Sequence, residues 1–93
     1  MSDIQVKQMP SFKKTYKKLT NECKLKVNEA IRSIIINPKI GEEKKGDLSG
    51  VYVCEFKVNQ QQMLLAYEWD AMERLLIALG MHENFYRDLK RNF

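Results

Sequence analysis

The chain's candidate chemistry lies near its C-terminal end, where the only histidine, His82, precedes Tyr86 by four residues. Imidazole exchanges a proton near neutral pH. If a short helix begins here, that spacing would put the Tyr86 hydroxyl on nearly the same face as His82. Lys90 and Arg91 add charges that persist at pH 7. This set suits the handling of a phosphodiester, although a capped terminal helix with a solvated histidine would give the same pattern.

The strand that would position a second set of reactive groups alternates from Val51 to Val58. One side is apolar and carries Tyr52, Cys54, Phe56 and Val58, and the other carries Val51, Val53, Glu55 and Lys57. Because the first side is the more apolar, we expect the helices to pack there. Glu55 and Lys57 would then point to the opposite face, which the segment from His82 to Tyr86 could cover as it leaves the last strand.

Cleavage of RNA without a metal needs a base for the 2′-hydroxyl, a cation near the phosphoryl oxygens and an acid for the leaving 5′ oxygen. Glu55 or His82 could serve as the base and His82 as the acid. Lys57 and Arg87 could bind the phosphate, and Tyr86 could stack on a base or orient the phosphate. The plainer alternative for Glu55 and Lys57 is a surface ion pair worth less than about 1 kcal/mol.

The remaining pattern predicts the elements around these groups. Residues 4–9 alternate and predict a short strand with one mostly buried face, which ends at Pro10 and is followed by Ser11 as the N-cap of a helix. Thr20 and Asn21 would cap a second helix that ends at residues 37–38. A polar loop covers residues 39–47. Two more strands, residues 63–69 and 74–79, follow turns at residues 59–62 and 70–73.

These elements predict an α+β fold in a single domain spanning residues 1–93. An antiparallel β-sheet would carry the N-terminal helical hairpin on one face, in the order β-α-α-β-β-β, followed by a short C-terminal helix. The strand at residues 63–69 is almost wholly apolar, which is expected of a strand covered on both faces. Four lysines of the first helix are interpreted as a solvated face: Lys13, Lys14, Lys17 and Lys18.

Composition narrows the class of protein. No run of eighteen apolar residues predicts a membrane span, and the first residues lack the apolar stretch of a secretory signal. Cys23 and Cys54 are therefore expected to be reduced thiols in a cytoplasmic protein. With one histidine and no Cys-x-x-Cys motif, we predict no metal site and no cofactor. The net charge of +4 suits nucleic acid, an acidic protein partner, or both.

Over essentially its whole length the sequence resembles the RelE/ParE superfamily of bacterial type II toxins. Three motifs carry the resemblance: Lys-Lys-Gly-Asp-Leu-Ser-Gly at residues 44–50, Leu-Leu-Ala-Tyr at 64–67 and Gly-Met-His at 80–82. The resemblance implies one of two activities. RelE-like, YoeB-like and YafQ-like members cleave mRNA in the ribosomal A site without a metal, whereas ParE-like members inhibit DNA gyrase.

The resemblance also implies site residues. His82 and Tyr86 are similar to the histidine and aromatic pair of the YafQ-like and YoeB-like nucleases, and Lys57 lies where RelE-like enzymes place basic residues. Glu42 or Glu43 resembles the loop carboxylate that YoeB-like enzymes use as a base. Together with Glu55, which the strand pattern supplies, the expected catalytic residues are His82, Tyr86 and Lys57. The expected RNA-binding set is Lys44, Lys45, Gln62, Arg87, Lys90 and Arg91.

Two departures from the superfamily pattern leave the activity open. Leu64 stands where RelE-like and YoeB-like members usually have an arginine, and Val53 and Glu55 stand where RelE-like enzymes have further lysines. A missing arginine removes a phosphate-binding group. The resemblance thus implies a toxin that acts as a metal-independent, ribosome-dependent mRNA endoribonuclease and inhibits translation, or else a ParE-like gyrase inhibitor without nuclease activity, or an inactive binding domain. In the first two cases its partner would be a cognate acidic antitoxin protein.

Overall fold

A computed structural model describes residues 3–46, 49–81 and 85. Its elements are β1 (Gln5–Gln8), α1 (Pro10–Lys17), α2 (Asn21–Ile36), a 3-10 turn (Pro38–Ile40), β2 (Glu42–Glu43), β3 (Tyr52–Val58), β4 (Gln61–Trp69) and β5 (Glu73–Met81). The five strands form one sheet in the order β1-β5-β4-β3-β2. The predicted α+β class, with a helical hairpin and a meander, is confirmed. The predicted C-terminal helix lies, apart from Phe85, outside the described residues.

The helical hairpin begins two residues earlier than the sequence predicted. Pro10 occupies the first turn of α1, where its missing N–H costs nothing, and Ser11 is inside the helix, so its predicted role as N-cap is wrong. The Ser11 hydroxyl instead donates a hydrogen bond to the carbonyl of Ile77 on β5, 2.5 Å away. Thr20 does cap α2 as predicted, because its hydroxyl accepts from the amide of Cys23 at 3.3 Å.

The structure also corrects the prediction for the first strand. All four residues of β1 are exposed, so the predicted mostly buried face does not exist. β1 lies at the edge of the sheet and pairs in parallel with β5, with Val6 beside Arg74 and Lys7 beside Leu75. The predicted antiparallel pairing therefore holds for β2 to β5 and not for β1. An edge strand can alternate without either face being covered, because alternation reports the strand period and not the burial.

The helices bury one face of the sheet, as the alternation of β3 predicted. The buried residues on this side are Phe12, Val27, Ala30, Ile34, Val58, Met63, Leu65, Tyr67, Leu76 and Leu79. Tyr52, Cys54 and Phe56 of β3 pack against this cluster. The helix-side face is therefore the one expected from the more apolar side of β3.

The opposite face, which we call the site face, carries a second apolar cluster. Its buried members are Val51, Val53, Leu64, Ala66, Ile77, Ala78 and Phe85. Met63 to Tyr67 of β4 are buried and are divided between the two clusters, so β4 is covered on both faces as predicted. Phe85 is 3% exposed, and a Cβ placed on Gly80 would lie 3.4 Å from its ring. The segment that follows β5 thus places at least this ring on the site face.

A buried arginine joins the end of α2 to the sheet. Arg74 is 3% exposed, and its guanidinium donates to the carbonyls of Ile34 at 3.0 Å, Ile35 at 3.1 Å and Asp70 at 2.6 Å. The last carbonyls of a helix have no partner within the helix and carry its negative dipole end, so a cation there is stabilising. The sequence pattern placed Arg74 in the last strand but gave no sign of this role.

The turn between β3 and β4 sets the register in which these two strands pair. Asn59 and Gln60 have φ angles of 51° and 70°, the left-handed pair that a two-residue hairpin turn requires. The turn is therefore shorter than the predicted residues 59–62, and Gln62 belongs to β4, opposite Lys57. Within the described residues, no helix has both the length and the apolar character needed to cross a bilayer.

Candidate active site

Three of the predicted site residues meet on the exposed end of the β3-β4 hairpin. Lys57 lies directly opposite Gln62, and Glu55 lies two residues further along β3, opposite Leu64. The Gln62 amide nitrogen donates to a Glu55 carboxylate oxygen at 2.5 Å. The structure therefore brings Glu55, Lys57 and Gln62 together at the rim of the apolar cluster on the site face.

The surface ion pair between Glu55 and Lys57, which was the plainer alternative for these two residues, does not form. Glu55 bonds to Gln62 instead, and Lys57 forms no ion pair with any residue in the part of the chain that the structure describes. An exposed ammonium without a carboxylate partner keeps its charge available for an anion. Lys57 can therefore bind a phosphate without first breaking a salt bridge.

The register of β2 separates the two loop glutamates. Glu42 lies opposite Val53 and Glu43 lies opposite Tyr52, and residues directly opposite in an antiparallel pair share a face of the sheet. Glu42 is therefore on the site face with Glu55, whereas Glu43 is on the helix side, where the Tyr52 hydroxyl donates to it at 3.5 Å. Of the two carboxylates that the resemblance offered, Glu42 is the one on the site face.

The two predicted RNA-binding lysines of the loop differ from each other. The Lys44 side chain is 22% exposed, its ammonium lies 3.6 Å from Glu42, and its amide donates to the Val51 carbonyl at 2.8 Å. Lys45 is exposed. Lys45 can therefore meet a ligand directly, while Lys44 is tied to the rim beside Glu42.

Leu64 is fully buried in the apolar cluster of the site face. The position where the resemblance leads one to expect a phosphate-binding arginine is thus part of the hydrophobic packing. Cationic contacts to a phosphate would come instead from Lys57 on the rim, from Lys45 of the loop, or from the C-terminal segment.

The other predicted site residues, His82, Tyr86, Arg87, Lys90 and Arg91, lie outside the described residues. What the structure describes are their neighbours in sequence. Met81, which precedes His82, pairs with Met63 at the start of β4, one residue from Gln62. Phe85, which precedes Tyr86, packs on the site face.

The Cys54 thiol on β3 is not a candidate nucleophile. Burial, and to a smaller extent the charge of Glu55, raises the pKa of the Cys54 thiol, so this group is protonated at neutral pH and is a poor nucleophile. Among the described residues, no three His, Cys, Asp or Glu side chains come close enough to hold a metal ion. The chemistry of the rim is that of a carboxylate, an amide and an ammonium.

Tyr67 positions the loop that carries Glu42. Its buried hydroxyl donates to the Pro38 carbonyl at 2.7 Å and accepts from the Gly41 amide at 3.0 Å, and burial is the main reason that its pKa is raised. The sequence analysis noted Tyr67 only as part of a motif. A tyrosine within an apolar strand needs a partner for its hydroxyl, and this requirement was the available signal.

The sequence model for ParE-like toxins of type II bacterial toxin-antitoxin systems matches residues 6–90. The chain belongs to this family. No curated protein sequence matches it significantly. The family membership accounts for the motifs around the hairpin and the end of β5, and it makes the chain a type II toxin.

Solved toxin structures share the fold of this ParE-like toxin. A mutant of E. coli toxin RelE in the free state is 14% identical, with a TM-score of 0.75 over 99% of this chain and 94% of that one. RelE in the intact E. coli RelBE toxin-antitoxin complex is 16% identical, with a TM-score of 0.69 over 86% and 98% of the two chains. A YoeB/ParE toxin from Agrobacterium tumefaciens is 17% identical, with a TM-score of 0.67 over 85% and 99%. At these identities the likeness establishes the fold.

Proposed function

We propose that this ParE-like toxin is a metal-independent, ribosome-dependent endoribonuclease that cleaves mRNA in the A site and so inhibits translation in the cytoplasm. The observation that carries the proposal is Lys57, an exposed ammonium beside Glu55 on the rim of the site face, which has no ion-pair partner among the described residues. Its cognate partner would be an acidic antitoxin, which suits the net charge of +4.

In the proposed reaction a carboxylate takes the proton of the 2′-hydroxyl, and the 2′ oxygen attacks the neighbouring phosphorus. The bond from phosphorus to the 5′ oxygen breaks, and that oxygen receives a proton. Glu55 is one candidate base, because Gln62 binds one of its carboxylate oxygens and no described residue forms a hydrogen bond or ion pair with the other. Glu42, on the same face, is the second.

The other roles would fall to residues of the C-terminal segment. His82 would act as acid or as base, Arg87 would join Lys57 on the phosphate, and Tyr86 would stack on a base. Lys45, Lys90 and Arg91 would contribute charge along the RNA backbone. Such a sparse site suits a ribosome-dependent enzyme, since the ribosome would hold the RNA in place and supply proximity.

The second candidate function is inhibition of DNA gyrase without nuclease activity. Leu64 favours it, since the position is sealed into the hydrophobic cluster and offers no cation to the site face. A gyrase inhibitor needs a binding surface but no acid, base or phosphate-binding cation. Leucine in place of the arginine usual at this position would therefore not impair it.

One experiment separates the two. The chain is expressed without its antitoxin, and RNA ends are mapped by primer extension while gyrase-dependent supercoiling is followed in the same cells. New ends inside translated codons, lost in His82→Ala and Tyr86→Ala variants that still fold, would support the nuclease. Intact messages together with gyrase-linked DNA breaks would support the gyrase inhibitor, and normal growth would count against both.

A further inference from the structure

One side of β3 is open over most of its length. β2 pairs only with Tyr52 and Val53, so residues 54–58 have no strand neighbour on that side within the described part of the chain. A groove of about 380 Å³ runs along this stretch, the open edge, between it and α2. Unpaired edges of this kind are templates for pairing with another strand.

The backbone of the open edge is oriented for pairing. The amide of Lys44 donates to the carbonyl of Val51, so Val51 turns its backbone groups toward the β2 side. These directions alternate along a strand, and Glu55 and Lys57 therefore direct their amides and carbonyls outward as Val51 does. Two residues on the open edge are thus ready to exchange hydrogen bonds with an added strand.

The side chains of the open edge are complementary to themselves. If two copies align their residues 54–58 antiparallel with full overlap, Phe56 lies on the two-fold axis. Glu55 of each copy then faces Lys57 of the other, and Cys54 faces Val58. Opposite charges meet on the site face, and apolar side chains meet on the helix side.

The groove shows the same balance of charge. Besides residues 54–57 of β3, it is lined by Lys26 and Glu29 of α2, which form an ion pair at 3.9 Å, and by Ala30, Ser33 and Ile40. The charges that α2 brings to the groove therefore sum to zero. On the other side of β3 the charges of Glu55 and Lys57 also sum to zero, and a second copy would place each of them beside its opposite.

We propose that the open edge is the interface of a homodimer, in which two copies of β3 pair antiparallel about Phe56 and join their sheets. The interface is isologous, so each interaction occurs twice. It includes four backbone hydrogen bonds, from Glu55 and Lys57 of both copies, and two interchain ion pairs between the same residues. Because the shared edge is only five residues long, the dimer is weak and depends on protein concentration.

The test is sedimentation velocity on the purified chain from about 10 to 500 μM, with circular dichroism of each variant to confirm folding. Wild type should shift from monomer to dimer over this range. Glu55→Lys and Lys57→Glu should each raise the dissociation constant at least about tenfold, because each creates two like-charge pairs. The double variant Glu55→Lys/Lys57→Glu should restore dimerisation.

The single variants control for net charge, since one raises it by two and the other lowers it by two. Simple repulsion between basic chains would make Lys57→Glu associate more strongly, which is the opposite of the expected result. Lys13→Glu, on the exposed side of α1, makes the same charge change away from the edge and should dimerise normally. A monomer at every concentration, or association that survives both single variants, would overturn the proposal, even if an acidic partner strand were found to occupy the edge.

Discussion

The hydroxyl of Tyr67 and the amide of Gly41 are 3.0 Å apart and form a hydrogen bond that fixes the entry to β2. The same hydroxyl donates to the Pro38 carbonyl at 2.7 Å. The approach is so close that a Cβ on Gly41 would lie 2.6 Å from the hydroxyl oxygen and 2.9 Å from the Val53 carbonyl oxygen. A buried tyrosine on β4 thereby holds the short strand that presents Glu42 to the site face.

Replacing Tyr67 by Phe should lower the free energy of unfolding by about 1–3 kcal/mol. The change removes two hydrogen bonds and leaves the Gly41 amide and the Pro38 carbonyl without this partner. Urea unfolding followed by fluorescence measures the effect. Tyr52→Phe is the matched control, because the one contact of its hydroxyl among the described residues is an exposed one, to Glu43 at 3.5 Å. An equal loss of stability in both variants would contradict the assigned role.

Replacing Arg74 by Met should lower the free energy of unfolding by about 3 kcal/mol. Methionine keeps much of the volume of the side chain but satisfies none of the carbonyls that the guanidinium now contacts at the end of α2. Thermal or urea unfolding reports the loss. Arg32→Met, on the exposed side of the same helix, should change stability by less than about 0.5 kcal/mol, and a similar effect of both changes would refute a specific role for Arg74.

The sequence predicted which side of β3 packs against the helices, because the two sides of this strand differ sharply in polarity. Tyr52, Cys54 and Phe56 could be assigned to the helices, and Glu55 and Lys57 to the other face, without any knowledge of the partner strands. The same rule failed for residues 5–8, because position within the sheet, and not alternation, decides whether an edge strand is covered.

The hydrogen bond between Glu55 and Gln62 could not be predicted from the sequence, for a different reason. It depends on the register of β3 against β4, which the two-residue turn at Asn59 and Gln60 sets, and the sequence predicted a longer turn. A shift of one residue would have put Gln62 on the other face. Contacts such as Arg74 with Ile34 join residues forty positions apart and leave no local pattern.

Stability should fall as the pH rises above about 9. Burial raises the pKa of Cys54 from 9.0 and that of Tyr67 from 10.0, so the unfolded chain loses these protons before the folded one does. The stabilisation is complete below the unfolded pKa values and is lost as the pH rises through the folded ones. Urea midpoints measured from pH 7 to 11 test this dependence.

Cys54→Ala should move the start of the decline to higher pH, because it removes the group with the lower reference pKa. Cys23→Ala, which removes the other free thiol, is measured alongside for comparison. A pH profile identical for all three proteins would show that burial of Cys54 does not govern this part of the curve.

Lys57→Ala should lower the rate of RNA cleavage by about 10²–10³-fold, if the toxin is the nuclease proposed here. Lys57 is the exposed cation on the rim beside Glu55, and removing one preorganised group that stabilises developing charge typically has this effect. Lys57→Arg keeps the positive charge and should keep most of the wild-type cleavage rate. Cleavage is measured on ribosomes programmed with a defined mRNA, under single-turnover conditions so that binding and chemistry are separated.

Lys13→Ala removes the same charge from the exposed side of α1 and should leave the rate within about twofold. If Lys57→Ala and Lys13→Ala lower the rate equally, the effect belongs to overall charge and ribosome affinity. If neither lowers it while His82→Ala abolishes cleavage, the catalytic centre lies in the C-terminal segment alone, and the rim formed by Glu55, Lys57 and Gln62 is not part of it.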